Sequence, residues 1–170
     1  MSKVDKKEII MDKAVAVFAE MGYYKATTAM VAKAAEVTQP YVFHFFQNKQ
    51  ELFKAVLDRA FHRIYDRFME VDAPADQLVE GMGHEFFKVM NAHRDEVLMV
   101  MQAYTIPEPE IRNHVAELYD HIFDSLTLKF KQAGIKDPST HASHFVSTGL
   151  LITLAEILNM PKLIQQIKDC

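Results

Sequence analysis

An all-α protein is predicted by three features of this 170-residue chain. Apolar residues recur every three or four positions almost throughout, glycine and proline are scarce (five and six), and no alternating strand segment runs beyond a few residues. With 49% hydrophobic residues in 19.5 kDa, the chain can bury a sizeable core as one or two domains.

The first helix spans about Lys6 to Met21, with Ile10, Ala14, Val17, Phe18 and Met21 on one face and Gly22 as a left-handed stop. Thr27 or Thr28 caps a short second helix to Ala35, because a threonine oxygen accepts an otherwise unpaired N–H at a helix start. Val37-Thr38-Gln39 breaks it, and a third helix of about six residues starts with Pro40 near its first position, where a missing N–H costs nothing. A fourth helix, about Lys49 to Met69, sets Leu52, Phe53, Val56, Leu57, Ala60, Phe61, Ile64, Tyr65 and Phe68 on one side. Further helices are expected at about Ala75–Ala92, Arg94–Tyr104, Glu108–Ala133 and Pro138–Asn159, with a short last one from Pro161. Short connections make these antiparallel neighbours.

Composition excludes several classes. The single cysteine, Cys170, rules out a disulfide framework within one chain and fits a reducing compartment. The most apolar stretch, Phe145 to Met160, is only 16 residues long and carries Glu156, too short to span a bilayer. The start has no apolar signal core, so a soluble, cytoplasmic protein is expected. Charge is uneven: residues 1–50 hold seven lysines against five acids, and residues 51–170 hold 12 basic against 18 acidic groups. A slightly basic head on an acidic body hints that only the head meets a polyanion.

The stretch Thr27 to Lys49 carries the functional signal. Two short helices joined by a three-residue turn, with Val31, Ala32, Ala35, Val37, Val42 and Phe45 inside, have the spacing of a helix-turn-helix, a geometry that also occurs as plain packing in helical proteins. The second helix would then present Gln39, Tyr41, Phe43 and His44 to a major groove, where an amide can bond a base edge and rings can reach thymine methyls. Lys49, at the next helix start, suits a phosphate.

Residues 9–57 resemble the DNA-binding head of the tetracycline-repressor (TetR) family of bacterial regulators. The resemblance is carried by Ala14, Phe18, Gly22, Tyr23, Thr27-Thr28, Val31-Ala32, Ala35, Val37, Gln39-Pro40-Tyr41-Val42, Phe46, Lys49, Leu52 and Phe53. It implies phosphate contacts from Thr28, His44 and Lys49, and base or groove contacts from Ala29, Gln39, Pro40 and Tyr41. Lys25 and Phe43 complete the candidate DNA-binding set. Three positions depart from the pattern: Glu36 replaces the turn glycine, Phe43 replaces a tyrosine whose hydroxyl reaches phosphate, and Phe45 replaces a frequent histidine. The expected organisation is a helix-turn-helix domain over residues 1–50 and a helical ligand-binding and dimerisation domain over 51–170.

In the body, Phe87, Met90, Met99, Tyr104, Tyr119 and Phe123 are large, soft side chains that could line an apolar effector cavity, although each also serves as ordinary core. Five of the body's seven histidines, His84, His114, His121, His141 and His144, invite a metal reading and include the i, i+3 pair His141 and His144, but no acidic or cysteine partner lies in register, so no metal and no cofactor is expected. The helix from Pro138 is apolar all round and must be covered on two sides. A second copy of the chain, meeting Leu150, Leu151, Leu154 and Leu158, is the simplest cover. Such a homodimer would present two recognition helices to an inverted repeat with half-sites ~34 Å apart.

The sequence contains no glycine-rich phosphate loop, metalloprotease helix signature or elbow serine, so no enzyme is expected. The function expected is a repressor released from double-stranded DNA by a hydrophobic small molecule. The alternative is a helical small-molecule-binding module that never meets DNA.

Overall fold

The structure is a computed structural model that describes residues 3–165; Met1 at the start and Cys170 at the end lie outside the described residues. Among the described residues the regular structure is all helical: α1 Lys3–Lys25, α2 Thr28–Ala34, α3 Gln39–Phe43, α4 Lys49–Glu70, α5 Ala75–Ala92, α6 Arg94–Ala103, α7 Pro109–Gln132, α8 Pro138–Ile157 and a 3-10 turn at Pro161–Leu163. The all-α class read from the apolar period holds, and so does the order of elements.

Helix α1 differs in one detail. It runs on to Lys25 with a break at Gly22, whose φ of 71° is positive as expected but whose ψ of 163° is extended rather than helical. The chain turns there, and the N–H of Ala26 closes the last turn on the Gly22 carbonyl at 3.1 Å.

Three helices end in the same hydrogen-bond pattern. After α2, the N–H of Glu36 bonds the Lys33 carbonyl and that of Val37 bonds the Ala32 carbonyl. After α7 the pairs are Gly134 to Lys131 and Ile135 to Phe130, and after α8 Asn159 to Glu156 and Met160 to Ala155. Each pair satisfies two orphan carbonyls, and each requires positive φ at the first donor. Gly134 and Asn159 suit that demand, with φ 79° and 51°, whereas Glu36, at 54°, bears a Cβ in a region that penalises one. Glu36→Gly is therefore expected to raise stability by roughly 0.5–1 kcal/mol, read as a higher urea midpoint at unchanged slope.

The chain divides into two compact units. The first comprises Met1–His62 and Arg94–Ala116, the second Arg63–His93 and Glu117–Cys170. The division falls inside α4 and inside α7, so each of these helices contributes to both units.

In the first unit α1 packs against α2 and α6, and α2 against α3. Ile10, Ala14, Phe18, Val31, Val42, Leu52, Phe53, Val56, Leu57, Met99 and Ile111 are fully buried. Phe53 meets the edge of Phe18 at a 4.9 Å ring separation and tilts against Tyr23 at the same distance. Arg59 of α4 fastens the outer side of this core, reaching Glu8 at 3.1 Å and Asp12 at 2.8 Å on α1 and the buried Glu96 of α6 at 3.4 Å. A buried carboxylate is tolerable here because the guanidinium faces it.

In the second unit Phe68, Leu78, Met82, Phe86, Met90, Ile122, Leu126, Phe130, Ala142, Ile152 and Ala155 are buried. Phe145 of α8 stands edge-on to Phe68 at 5.0 Å and to Phe130 at 6.2 Å. Lys129 of α7 donates to the carbonyl of Met69 at the end of α4, 3.1 Å away. Helix α8 buries Ala142, Ile152, Thr153 and Ala155 but leaves Leu150, Leu154 and Leu158 uncovered at 38%, 39% and 53% exposure. Leu151 is half-buried. The three exposed leucines are spaced i, i+4, i+8, a single apolar stripe along the helix. Among the described residues no helix is long and apolar enough to cross a membrane.

Candidate nucleic-acid interface

Helix α2 starts where Thr27, in extended backbone, accepts the N–H of Met30 on its hydroxyl at 3.2 Å. Thr27 is therefore the cap, and Thr28 is the first helical residue, buried to 7% exposure. The turn then passes through Glu36 and Val37 into α3, which has Pro40 in its first turn and buries Val42. Burial of Val31, Ala32, Ala35 and Val42 fixes the two short helices against each other. Gln39, Pro40, Phe43 and His44 remain on the outer side of α3: Pro40, Phe43 and His44 are exposed and Gln39 half-buried.

The four rings that crowd this segment sort themselves by depth. Phe46 is buried, Phe45 and Tyr41 are half-buried, and Phe43 is 43% exposed. Tyr41 stacks over the His44 ring at 6.3 Å and meets Phe45 edge-on at 5.4 Å, so it is braced by its neighbours. Phe43 presents its ring to solvent without a hydroxyl.

Two of the expected phosphate ligands make internal bonds. The Thr28 hydroxyl accepts the side-chain N–H of Gln39 at 2.8 Å. The Lys49 ammonium donates to the Tyr23 carbonyl at 2.8 Å and lies 4.4 Å from the centre of the Tyr23 ring. His44, Lys25, Ala29 and Pro40 are open to solvent. Asn48, which the sequence reading passed over, caps α4: its side-chain oxygen accepts the N–H of Glu51 at 2.9 Å. The signal was present, since asparagine followed three positions later by glutamate marks a helix start.

The turn after α1 is anchored at a distance. The Tyr24 hydroxyl donates to a Glu108 carboxylate oxygen at 2.7 Å. That bond, with smaller contributions from desolvation and the carboxylate's charge, pushes the phenol up to about 12. The folded state favours the protonated phenol, so the stabilisation is complete below the ordinary value near 10 and fades as pH rises through about 12. Ultraviolet titration should show Tyr24 ionising late, and Glu108→Gln should return it toward 10.

The remaining candidates fall in both units. Met99 and Tyr104 belong to the first unit, the former fully buried and the latter exposed, whereas Phe87, Met90, Tyr119 and Phe123 belong to the second. Met90 is buried there and accepts the Thr153 hydroxyl on its sulfur at 3.9 Å; Phe87, Tyr119 and Phe123 are half-buried. The histidines do not converge on a metal: among the described residues no group of three or more His, Cys, Asp or Glu could hold an ion. His114 instead pairs with Asp58, 2.6 Å away.

Comparison with known proteins places this geometry. Residues 10–56 match the model of the family described as bacterial regulatory proteins, tetR family. A Bacillus subtilis protein, the uncharacterized HTH-type transcriptional regulator YhgD, is 26% identical over 97 residues, 57% of this chain and 51% of that one. The biofilm operon icaADBC HTH-type negative transcriptional regulator IcaR of Staphylococcus epidermidis is 23% identical over 124 residues, 71% of this chain and 66% of that one. The match thus spans between half and two thirds of these relatives' own length. Among solved structures, the transcriptional regulator FadR from Bacillus subtilis in complex with stearoyl-CoA shares the fold, with a TM-score of 0.75 at 21% identity, covering 89% of this chain and 88% of that one. The head that residues 10–56 build is thus that of the tetR family of bacterial regulatory proteins.

Proposed function

We propose that the protein is a homodimeric repressor that binds an inverted-repeat DNA operator and releases it on taking up a hydrophobic small molecule. The observation that carries the reading is the outer face of α3, where Gln39, Pro40, Phe43 and His44 lie solvent-side of a helix fixed by the buried Val42. The excess of lysine in residues 1–50 supports contact with a polyanion there. In this reading residues 1–50 bind DNA, and residues 51–170 bind effector and partner copy in the cytoplasm. The uncovered leucines of α8 favour a second copy as that partner.

For the effector, Phe87, Met90, Tyr119 and Phe123 are the candidate lining residues that the second unit contains. The stearoyl-CoA bound by the FadR relative suggests an acyl thioester as the first compound to try. Helix α4, which starts beside the recognition helix and continues into the second unit, is the element through which such a ligand would favour one setting of the heads over another.

The test is equilibrium binding of the full chain to duplexes selected from a random pool, followed against salt. Affinity should fall linearly on a log–log plot, with a slope near −0.9 per phosphate neutralised. His44→Ala should weaken binding roughly tenfold. Affinity that is absent at low salt would leave the helical small-molecule-binding module as the surviving reading.

A further inference from the structure

We propose that Thr28 is a positioning residue that decides which base Gln39 reads. The inference rests on the DNA-binding reading above and deepens it. Thr28 is the first residue of α2 and Gln39 the first of α3, and a 2.8 Å hydrogen bond joins the Gln39 amide nitrogen to the Thr28 hydroxyl oxygen. Thr28 is 7% exposed, so its hydroxyl is a fixed point inside the helix pair and is poorly placed to meet a phosphate. Gln39 is half-buried at the edge of the exposed face.

A glutamine amide carries two N–H donors and one carbonyl acceptor. Left to rotate on its flexible stem, it can offer donors alone or a donor beside an acceptor. With one N–H committed to Thr28, a single N–H remains next to Oε1. In the major groove adenine shows the complement of that pair, the N7 acceptor beside the N6 donor, whereas guanine shows two acceptors, N7 and O6. The committed amide therefore fits an A·T pair and can serve only one acceptor of a G·C pair. Thr28 acts through Gln39 and touches no base itself.

The experiment uses the full chain and its selected operator. At one position in each half-site, replacing A·T by G·C should lower wild-type affinity about tenfold or more, and Gln39→Ala should abolish that preference. Thr28→Val keeps the branched shape and removes the hydroxyl; it should shrink the A-over-G ratio to about one to three. Thr28→Ser, which restores the oxygen, should recover it. Because the readout is a ratio between two duplexes for one protein preparation, partial loss of fold cannot mimic the effect. An unchanged ratio in Thr28→Val, or an equal loss on both duplexes as a phosphate ligand would give, overturns the proposal. Wild-type protein with no salt-dependent affinity for any duplex would instead overturn the DNA-binding reading beneath it.

Discussion

Leu154→Glu is expected to produce a folded monomer that binds the operator some 10²- to 10⁴-fold more weakly than the parent chain. In the isolated chain Leu154 is 39% exposed at the centre of the stripe formed by Leu150, Leu154 and Leu158, so a charge there meets water and costs the fold little. Against a second copy the same carboxylate would be desolvated without a partner, and by two-fold symmetry this happens twice. In the dimer proposed above, loss of pairing would remove the second recognition helix, whose effective concentration near its half-site would otherwise multiply affinity. Sedimentation gives the mass and anisotropy the affinity. A variant that stays dimeric and binds DNA normally would show that this stripe is not where copies meet.

Phe53→Ala has the largest effect expected on stability, a loss of about 3–5 kcal/mol. The ring is fully buried between Phe18 and Tyr23, each 4.9 Å away centre to centre, so its removal forfeits transfer energy, ring contacts and the space itself. Those neighbours belong to α1, whereas Phe53 belongs to the first turns of α4, so the cavity would open at the junction that holds the turn after Gly22 in place. Urea unfolding measures it; a loss below about 1 kcal/mol would mean that the three rings repack, contrary to the close packing described. DNA affinity should fall with it, since Lys49 holds the Tyr23 carbonyl at the same junction.

Much of this was legible beforehand, because helices announce themselves through local chemistry. The stripe Leu52, Phe53, Val56, Leu57 fixes both the existence of α4 and its buried face, and Pro40, Pro74 and Pro138 punctuate the chain where helices begin. Glu36 was legible only through the resemblance, which puts it where the family has a turn glycine, and its φ of 54° agrees with that position. Partners were not legible. The hydroxyl of Tyr24 finds Glu108 across 84 positions, and the Arg59 guanidinium gathers carboxylates from α1 and α6. Periodicity names the face of a helix but not the element facing it. For the same reason Thr28 and Lys49 read as side chains aimed outward, while their polar atoms are engaged within the head. The grouping of Arg94–Ala116 with the N-terminal helices had no sequence signal, since it depends on contacts far apart along the chain.

The break at Gly22 constrains how this chain can drift. Its backbone, φ 71° and ψ 163°, lies in a region open essentially to glycine alone, yet an added methyl would meet nothing nearer than the Gln102 side chain at 3.8 Å. A library randomised at this codon and screened for folded product should therefore return a single letter, and no enlargement of the surrounding space by second-site changes would relax it.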